Sequence, residues 1–277
     1  MNFSLRDFSI GDDSLLLIAG PCVIESRDLC FQIAQHMKPM CEARGVNYVF
    51  KASFDKANRT SIHSKRGSGF EAGLQVLAAV REAFGVPVTT DVHEPSQCEA
   101  AAEVCEILQI PAFLCRQTDL LVAAAEAASK HNGVVNVKKG QFLAPEDTQN
   151  IVAKVRESGC ERVMLTERGT TFGYNNLVVD FRGLEIMRRF APVCFDATHS
   201  VQKPGGGGTV SGGDRSFVPS LSRAAMAVGV DALFVETHPR PDEAWSDGPN
   251  MVPLSEMERL LDSCLAIRAA RTSGLDR

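Results

Sequence analysis

Eight short runs dominated by Val, Ile, Leu and Phe recur along the chain, and each is followed by a stretch in which apolar residues keep helical spacing. The runs are SLLLIAG (14–20), VNYVFKA (46–52), PVTTDV (87–92), EILQI (106–110), VVNVK (134–138), RVMLTE (162–167), PVCFDAT (192–198) and DALFVET (231–237). The helix-compatible segments are 26–44, 68–83, 96–105, 117–130, 145–158, 176–190, 215–229 and 254–271. Continuous apolar runs suit strands buried on both faces, and strand-helix alternation makes sequential strands parallel. Gly45, Gly85, Gly133, Gly159 and Gly229 stand just past helical stretches, where a left-handed residue ends a helix. Pro95-Ser96, Pro145 and Ser255-Glu256 mark helix starts. Eight such units within 277 residues favour a closed α/β architecture, a (β/α)8 TIM barrel, over an open doubly wound sheet. No linker divides the chain, so residues 1–277 are expected to form one barrel domain.

Two segments fall outside the eight units. Residues 1–13, with FSLRDFSI followed by Gly-Asp-Asp, predict a short β-hairpin ahead of the barrel, placed as a plug across its N-terminal end. KPGGGGTVSGGDR (203–215) carries too much glycine to hold one conformation unaided and is expected to be a mobile loop after the seventh strand.

Composition removes several function classes. A net charge of -5 argues against nucleic acid or an anionic membrane as the main partner, since both reward a broad basic face. The N-terminus places acidic residues before a short apolar run, unlike an export signal, and no stretch approaches the 18 or so apolar residues of a membrane span. The nine cysteines form no CxxC pair, which favours reduced thiols and a cytoplasmic location. Cys30, Cys41, Cys98, Cys105, Cys160, Cys194 and Cys264 read as small buried hydrophobes.

The charged residues concentrate at the C-terminal ends of the eight runs. These ends carry Cys22 and Glu25; Lys51, Lys56, Asn58 and Arg59; Asp91, His93 and Glu94; Gln109 and Arg116; Asn136, Lys138 and Lys139; Glu167 and Arg168; Asp196 and His199; and Glu236 and His238. In a barrel these ends converge on one mouth. Closure makes strands seven, eight and one neighbours, so Cys22, His199, Glu236 and Asp247 can face one point. Thiolate, imidazole and carboxylate together suit a borderline divalent ion such as Zn, Fe, Mn or Co. Lysines and arginines in near-apolar runs are costly to bury unpaired, and a multiply anionic substrate would supply their partners.

AGPCVIES (19–26), KASFDKANRTS (51–61), TDVHEPSQ (90–97), QIPAFLCRQTDLL (109–121), NVKKGQF (136–142), FGYNNLVVDFRG (172–183) and VETHPRP (235–241) then carry a resemblance. On these motifs the chain resembles the 3-deoxy-D-manno-octulosonate 8-phosphate synthases over essentially its full length. The resemblance implies a (β/α)8 barrel, usually a homotetramer, that serves lipopolysaccharide biosynthesis. It implies condensation of phosphoenolpyruvate with D-arabinose 5-phosphate and water. Cysteine at position 22, where the metal-independent branch has asparagine, implies the metal-dependent branch, with Cys22, His199, Glu236 and Asp247 as ligands. Lys56, Arg116, Lys138 and Arg168 are similar to the family's phosphoenolpyruvate clamp, and Asp91 and His199 join the catalytic set. Asn58, Arg59 and Thr60 correspond to sugar-phosphate contacts, the last two reaching a neighbouring subunit, while Lys51, Ser53 and Gln109 complete the substrate-binding set. The alternative is a 3-deoxy-7-phosphoheptulonate synthase acting on erythrose 4-phosphate. Those enzymes typically carry Lys-Pro-Arg where this chain has Lys56-Ala57-Asn58-Arg59.

Overall fold

A computed structural model describes residues 2–11, 14–58, 63–173, 175–204 and 212–274. In chain order the strands are β1 (Phe3–Leu5), β2 (Phe8–Ile10), β3 (Leu16–Gly20), β4 (Asn47–Lys51), β5 (Val88–Asp91), β6 (Ile107–Ile110), β7 (Val134–Lys138), β8 (Val163–Glu167), β9 (Thr170–Thr171), β10 (Leu177–Val178), β11 (Val193–Asp196), β12 (Gln202–Lys203), β13 (Gly212–Gly213), β14 (Ala232–His238) and β15 (Val252–Pro253). The helices are α1 (Arg27–Glu42), α2 (Phe70–Phe84), α3 (Cys98–Val104), α4 (Thr118–Lys130), α5 (Thr148–Glu157), α6 (Arg182–Arg188), α7 (Val218–Val228) and α8 (Met257–Gly274).

Parallel pairing runs in sequence from β3 through β4, β5, β6, β7, β8 and β11 to β14, and β14 pairs back onto β3. The eight strands therefore close a (β/α)8 TIM barrel, as the alternation requires. Side chains alternate between the faces, and the two apolar clusters separate along that alternation. Leu17, Tyr48, Phe50, Leu108, Val135, Val137, Leu165, Phe195, Leu233 and Val235 point outward and pack beneath the helices. Leu16, Ile18, Val49, Ile107, Val134, Met164, Cys194 and Phe234 point inward. The inward group also holds Leu5 and Ile10 of the β1–β2 hairpin, with Phe3 and Phe8 against them, so the hairpin plugs the N-terminal end of the barrel.

The helical segment expected over 176–190 is shorter than its pattern suggests. Leu177 and Val178 pair antiparallel with Thr171 and Thr170, and the helix begins only at Arg182. β-branched Val178 and Val179, followed by Asp180, favour an extended entry over a helical one. Proline shapes other starts: Pro95 and Pro145 each open a 3-10 turn that leads into the helix proper. Of the glycine-rich segment, residues 205–211 lie outside the described residues; its ends form the β12–β13 ladder, Gln202 opposite Gly213 and Lys203 opposite Gly212. All nine cysteines are free and buried. No helix among the described residues is long and apolar enough to cross a membrane.

Candidate active site

The inward column of each strand turns from apolar to polar toward its C-terminal end. Two residues beyond Val49 is Lys51, beyond Thr89 is Asp91, beyond Ile107 is Gln109, beyond Cys194 is Asp196, and beyond Phe234 is Glu236. A period of two thus points these polar residues into the barrel above a dry lower core. The mouth holds a cavity of about 400 Å³, lined in part by Lys56, Asn58, Asp91, Lys138, Arg168 and Asp247.

A directional chain of hydrogen bonds forms its floor. The Thr166 hydroxyl donates to Asn136 Oδ1 at 2.7 Å and Asn136 Nδ2 donates to Gln109 Oε1 at 3.3 Å. Gln109 Nε2 and the Ser53 hydroxyl then both donate to the Asp91 carboxylate. Burial alone would push the Asp91 carboxyl up, but Lys51, Lys56 and Lys138 outweigh it and hold the group well below the usual carboxylate range. Ser53 and Gln109 therefore act from beneath the cavity, through Asp91, and do not line it.

Cys22, Glu236 and Asp247 meet beside this chain, their ligand atoms all within 4.8 Å of one another. Gly20 permits the approach of β3 to β4, since a Cβ there would sit 2.0 Å from the Lys51 carbonyl oxygen. Cys22 Sγ donates to Asp247 Oδ2 at 3.0 Å. Burial, reinforced by the Asp247 and Glu236 carboxylates, pushes the Cys22 thiol well above its ordinary range. Glu236 Oε1 accepts from Lys51 Nζ at 2.8 Å, while Oε2 is buried with no hydrogen-bond partner among the described residues. His199 stands slightly apart, its Nε2 3.7 Å from Glu236 Oε1 and its Nδ1 2.8 Å from Asp196 Oδ2. Asp247 has a φ of 52°, a left-handed conformation that aspartate tolerates better than bulkier residues do. An orphaned carboxylate oxygen, a buried thiol between two carboxylates and a nearby imidazole form a donor set that fits a borderline divalent cation.

The cations differ in how far their charge is already compensated. Lys138 Nζ sits 2.7 Å from Asp196 Oδ2, and Lys56 Nζ lies 3.8 Å from Glu236. Burial would lower the Lys56 ammonium, yet Cys22, Glu236, Asp91 and Asp247 around it raise it well above its ordinary value. Arg168 has no carboxylate within 4.0 Å among the described residues; it donates instead to the amide oxygens of Gln141, at 2.9 Å, and Gln202, at 2.6 Å. Burial pushes its guanidinium below the ordinary range. It lines the cavity, where a guanidinium paired only with amides can take up an anion.

Arg116 is the expected clamp residue that the fold does not bring in. It is exposed just after the 3-10 turn that follows β6 and does not line the cavity, although Pro111, Ala112, Phe113 and Leu114 ahead of it do. Arg59 and Thr60 lie outside the described residues. Lys139, counted among the cations by sequence, is buried behind the site. It donates to Gly140 O, Leu143 O and Thr170 Oγ1 and sits 3.6 Å from Glu167, whose Oε1 accepts from the backbone N–H groups of Arg168 and Gly169. Sequence reasoning missed Gln141 and Gln202 as partners of Arg168. Their only signal was position, Gln141 inside NVKKGQF and Gln202 three residues past His199.

The DAHP synthetase I family profile matches residues 2–269. A protein of Cyanothece sp. named 2-dehydro-3-deoxyphosphooctonate aldolase is 59% identical over 266 residues, covering 95% of this chain and 96% of its own. Proteins of the same name from Chelativorans sp. and Koribacter versatilis are 59% and 56% identical, covering 92% and 98% of this chain and 91% and 97% of theirs. The chain belongs to the DAHP synthetase I family, in company with these 2-dehydro-3-deoxyphosphooctonate aldolases.

Proposed function

We propose that the protein joins phosphoenolpyruvate to D-arabinose 5-phosphate, with water, to give 3-deoxy-D-manno-octulosonate 8-phosphate and inorganic phosphate. The observation that carries the substrate assignment is the name shared by relatives 56–59% identical over nearly the whole chain. The cavity supports it, because Arg168 lines the open space and donates only to the neutral amides of Gln141 and Gln202, with Lys56 and Lys138 on the same wall.

In this reading C3 of phosphoenolpyruvate bonds to the aldehyde carbon, water adds at C2, and phosphate departs by C–O cleavage. Lys56, Lys138 and Arg168 hold the carboxylate and phosphate of phosphoenolpyruvate. Asp91, too firmly ionised to serve as a base, is the counter-charge that Lys51, Lys56 and Lys138 surround. Asn58, at the cavity wall, offers an amide to a sugar hydroxyl. His199 is oriented by Asp196, whose carboxyl is kept ionised by His199 and Lys138 against the effect of burial. Cys22, His199, Glu236 and Asp247 would hold a divalent ion of the Zn, Fe, Mn or Co kind, placing the chain in the metal-dependent branch. Such an ion supplies Lewis-acid polarisation of an oxygen that gains negative charge. Assembly as a homotetramer is part of the same reading, and the exposed rings of Phe113, Phe142, Phe172 and Phe217 offer apolar surface for subunit contacts. The free buried thiols support a cytoplasmic setting.

Phosphate release measured with each aldose at saturating phosphoenolpyruvate tests the assignment. A site that hydrogen-bonds a substrate hydroxyl can reject an analogue lacking it by factors of about 10⁴. The expected result is a kcat/KM at least about 100-fold higher for arabinose 5-phosphate than for erythrose 4-phosphate. Equal or greater efficiency with erythrose 4-phosphate would make the protein a 3-deoxy-7-phosphoheptulonate synthase.

A further inference from the structure

Gln202 touches both halves of the site. Its Oε1 accepts from Arg168 NH2 at 2.6 Å and its Nε2 donates to Asp247 Oδ1 at 3.0 Å. The opposite oxygen of that carboxylate, Oδ2, faces Cys22 Sγ and the Ser246 hydroxyl, each at 3.0 Å. One amide therefore spans the space between the guanidinium left open for an anion and the carboxylate of the candidate cation centre.

The backbone holds this amide in place from two directions. Gln202 pairs with Gly213 in the β12–β13 ladder. Gly213 packs so closely on Asn250 that an added Cβ would stand 1.3 Å from Asn250 Oδ1, and Asn250 N donates to the Asp247 carbonyl at 2.8 Å. The strand carrying Gln202 and the turn carrying Asp247 are thus one packed unit.

An amide has one acceptor end and one donor end, and here each is committed to a different charged partner. If Arg168 is fixed by an anion, Gln202 is fixed through its oxygen, and its N–H then holds Asp247 Oδ1 so that Oδ2 stays turned toward Cys22. We propose that Gln202 is a positioning residue that couples anion binding at Arg168 to cation binding at Cys22, Glu236 and Asp247, each tightening the other. This rests on the function proposed above. Coupling of this kind is reciprocal, and typical values lie between about 5-fold and 150-fold.

The test uses the full chain stripped of metal. Cobalt(II) or zinc(II) is titrated against a chromophoric chelator with and without saturating phosphoenolpyruvate, in the absence of aldose. The same titrations are run on Gln202→Met, which keeps the side chain's length without its donor or acceptor and adds no charge, and on Gln202→Leu, which loses both groups in a shorter side chain. In the wild type phosphoenolpyruvate should tighten the metal at least about 5-fold. It should also shift the cobalt-thiolate absorption of Cys22 and the fluorescence of Trp245, the single tryptophan, two residues before Asp247. In both variants phosphoenolpyruvate and metal should still bind separately, with coupling below about 2-fold and the cobalt band unmoved by phosphoenolpyruvate. A variant that keeps the wild-type coupling, or a wild type that binds both ligands with no coupling, overturns the inference and leaves the proposed reaction standing. A wild type that takes up neither metal nor phosphoenolpyruvate overturns the proposed reaction and the coupling with it. Should Gln202→Leu fail to fold, Gln202→Met carries the test, because it keeps the side chain's length.

Discussion

Arg168→Met should separate function from stability. In most buried ion pairs removing one partner leaves an uncompensated charge and costs about 3–5 kcal/mol. Arg168 has no such partner, since its guanidinium donates to two neutral amide oxygens and burial pushes its pKa down. A cation whose folded-state pKa is depressed is less favourable in its charged form within the fold than in the unfolded chain, so at neutral pH its charge opposes folding. Its removal forfeits two hydrogen bonds of about 0.5–1.5 kcal/mol each and relieves a desolvation cost of similar size. Gln141 and Gln202 are only half buried, so water can replace the lost donor. The net change in stability should stay within about 1 kcal/mol, a Tm shift of roughly 2–4 °C at most. Catalysis should respond quite differently. Loss of a desolvated charge-assisted contact costs about 2–4 kcal/mol, so kcat/KM for phosphoenolpyruvate should fall at least about 100-fold. Steady-state phosphate release and differential scanning calorimetry on the same preparation give both numbers. A Tm lowered by more than about 6 °C with kcat/KM within about 3-fold would make Arg168 a structural residue and refute the reasoning.

Lys138→Ala should also lower kcat/KM for phosphoenolpyruvate at least about 100-fold, but it leaves the buried Asp196 carboxylate with His199 as its one remaining cationic partner among the described residues and should lower Tm as well, which the same two measurements resolve. Exhaustive chelation should abolish turnover and added Mn, Co or Zn should restore it, while elemental analysis of Cys22→Ala should show most of the metal lost; full activity in metal-free protein would remove the ion from the mechanism. Glu167→Ala should destabilise the fold by about 2–4 kcal/mol in urea unfolding, because the N–H groups of Arg168 and Gly169 lose their buried acceptor. Glu167→Gln, which keeps an acceptor oxygen, should cost clearly less.

The barrel was legible because its strands are buried on both faces and read as unbroken apolar runs, so that even PVTTDV announced itself through its neighbours. The site was legible for a related reason: a lysine or glutamate at the end of such a run has nowhere to go except into the barrel, as Lys51, Asp91 and Glu236 do. Two kinds of residue escaped this logic. Lys138 and Lys139 are adjacent, and only register decides that one faces the cavity while the other turns behind it to Glu167. Gln141 and Gln202 carry no charge and sit in short connections, so their value lies in what they leave undone, namely neutralising Arg168. Arg116 shows the reverse limit, because a positive residue close to a strand end can still stand exposed, clear of the cavity that the turn before it lines.

The seam between β3 and β14 determines when this protein acquires its chemistry during folding. Cys22 and Asp247 touch across 225 positions of sequence, and Lys51 and Glu236 across 185. Contacts of such separation form only after the intervening chain is ordered, since loop-closure entropy must be overcome first. A ribosome-bound chain that has emerged only through β11 can lay down its lysines, Asp91 and Asp196, yet it lacks both acidic partners of Cys22. The site is complete only when β14 and the turn that carries Asp247 have both closed against β3. An ion held across that junction would favour the closed ring over every open precursor, by the mass-action term that any ligand of the native state contributes.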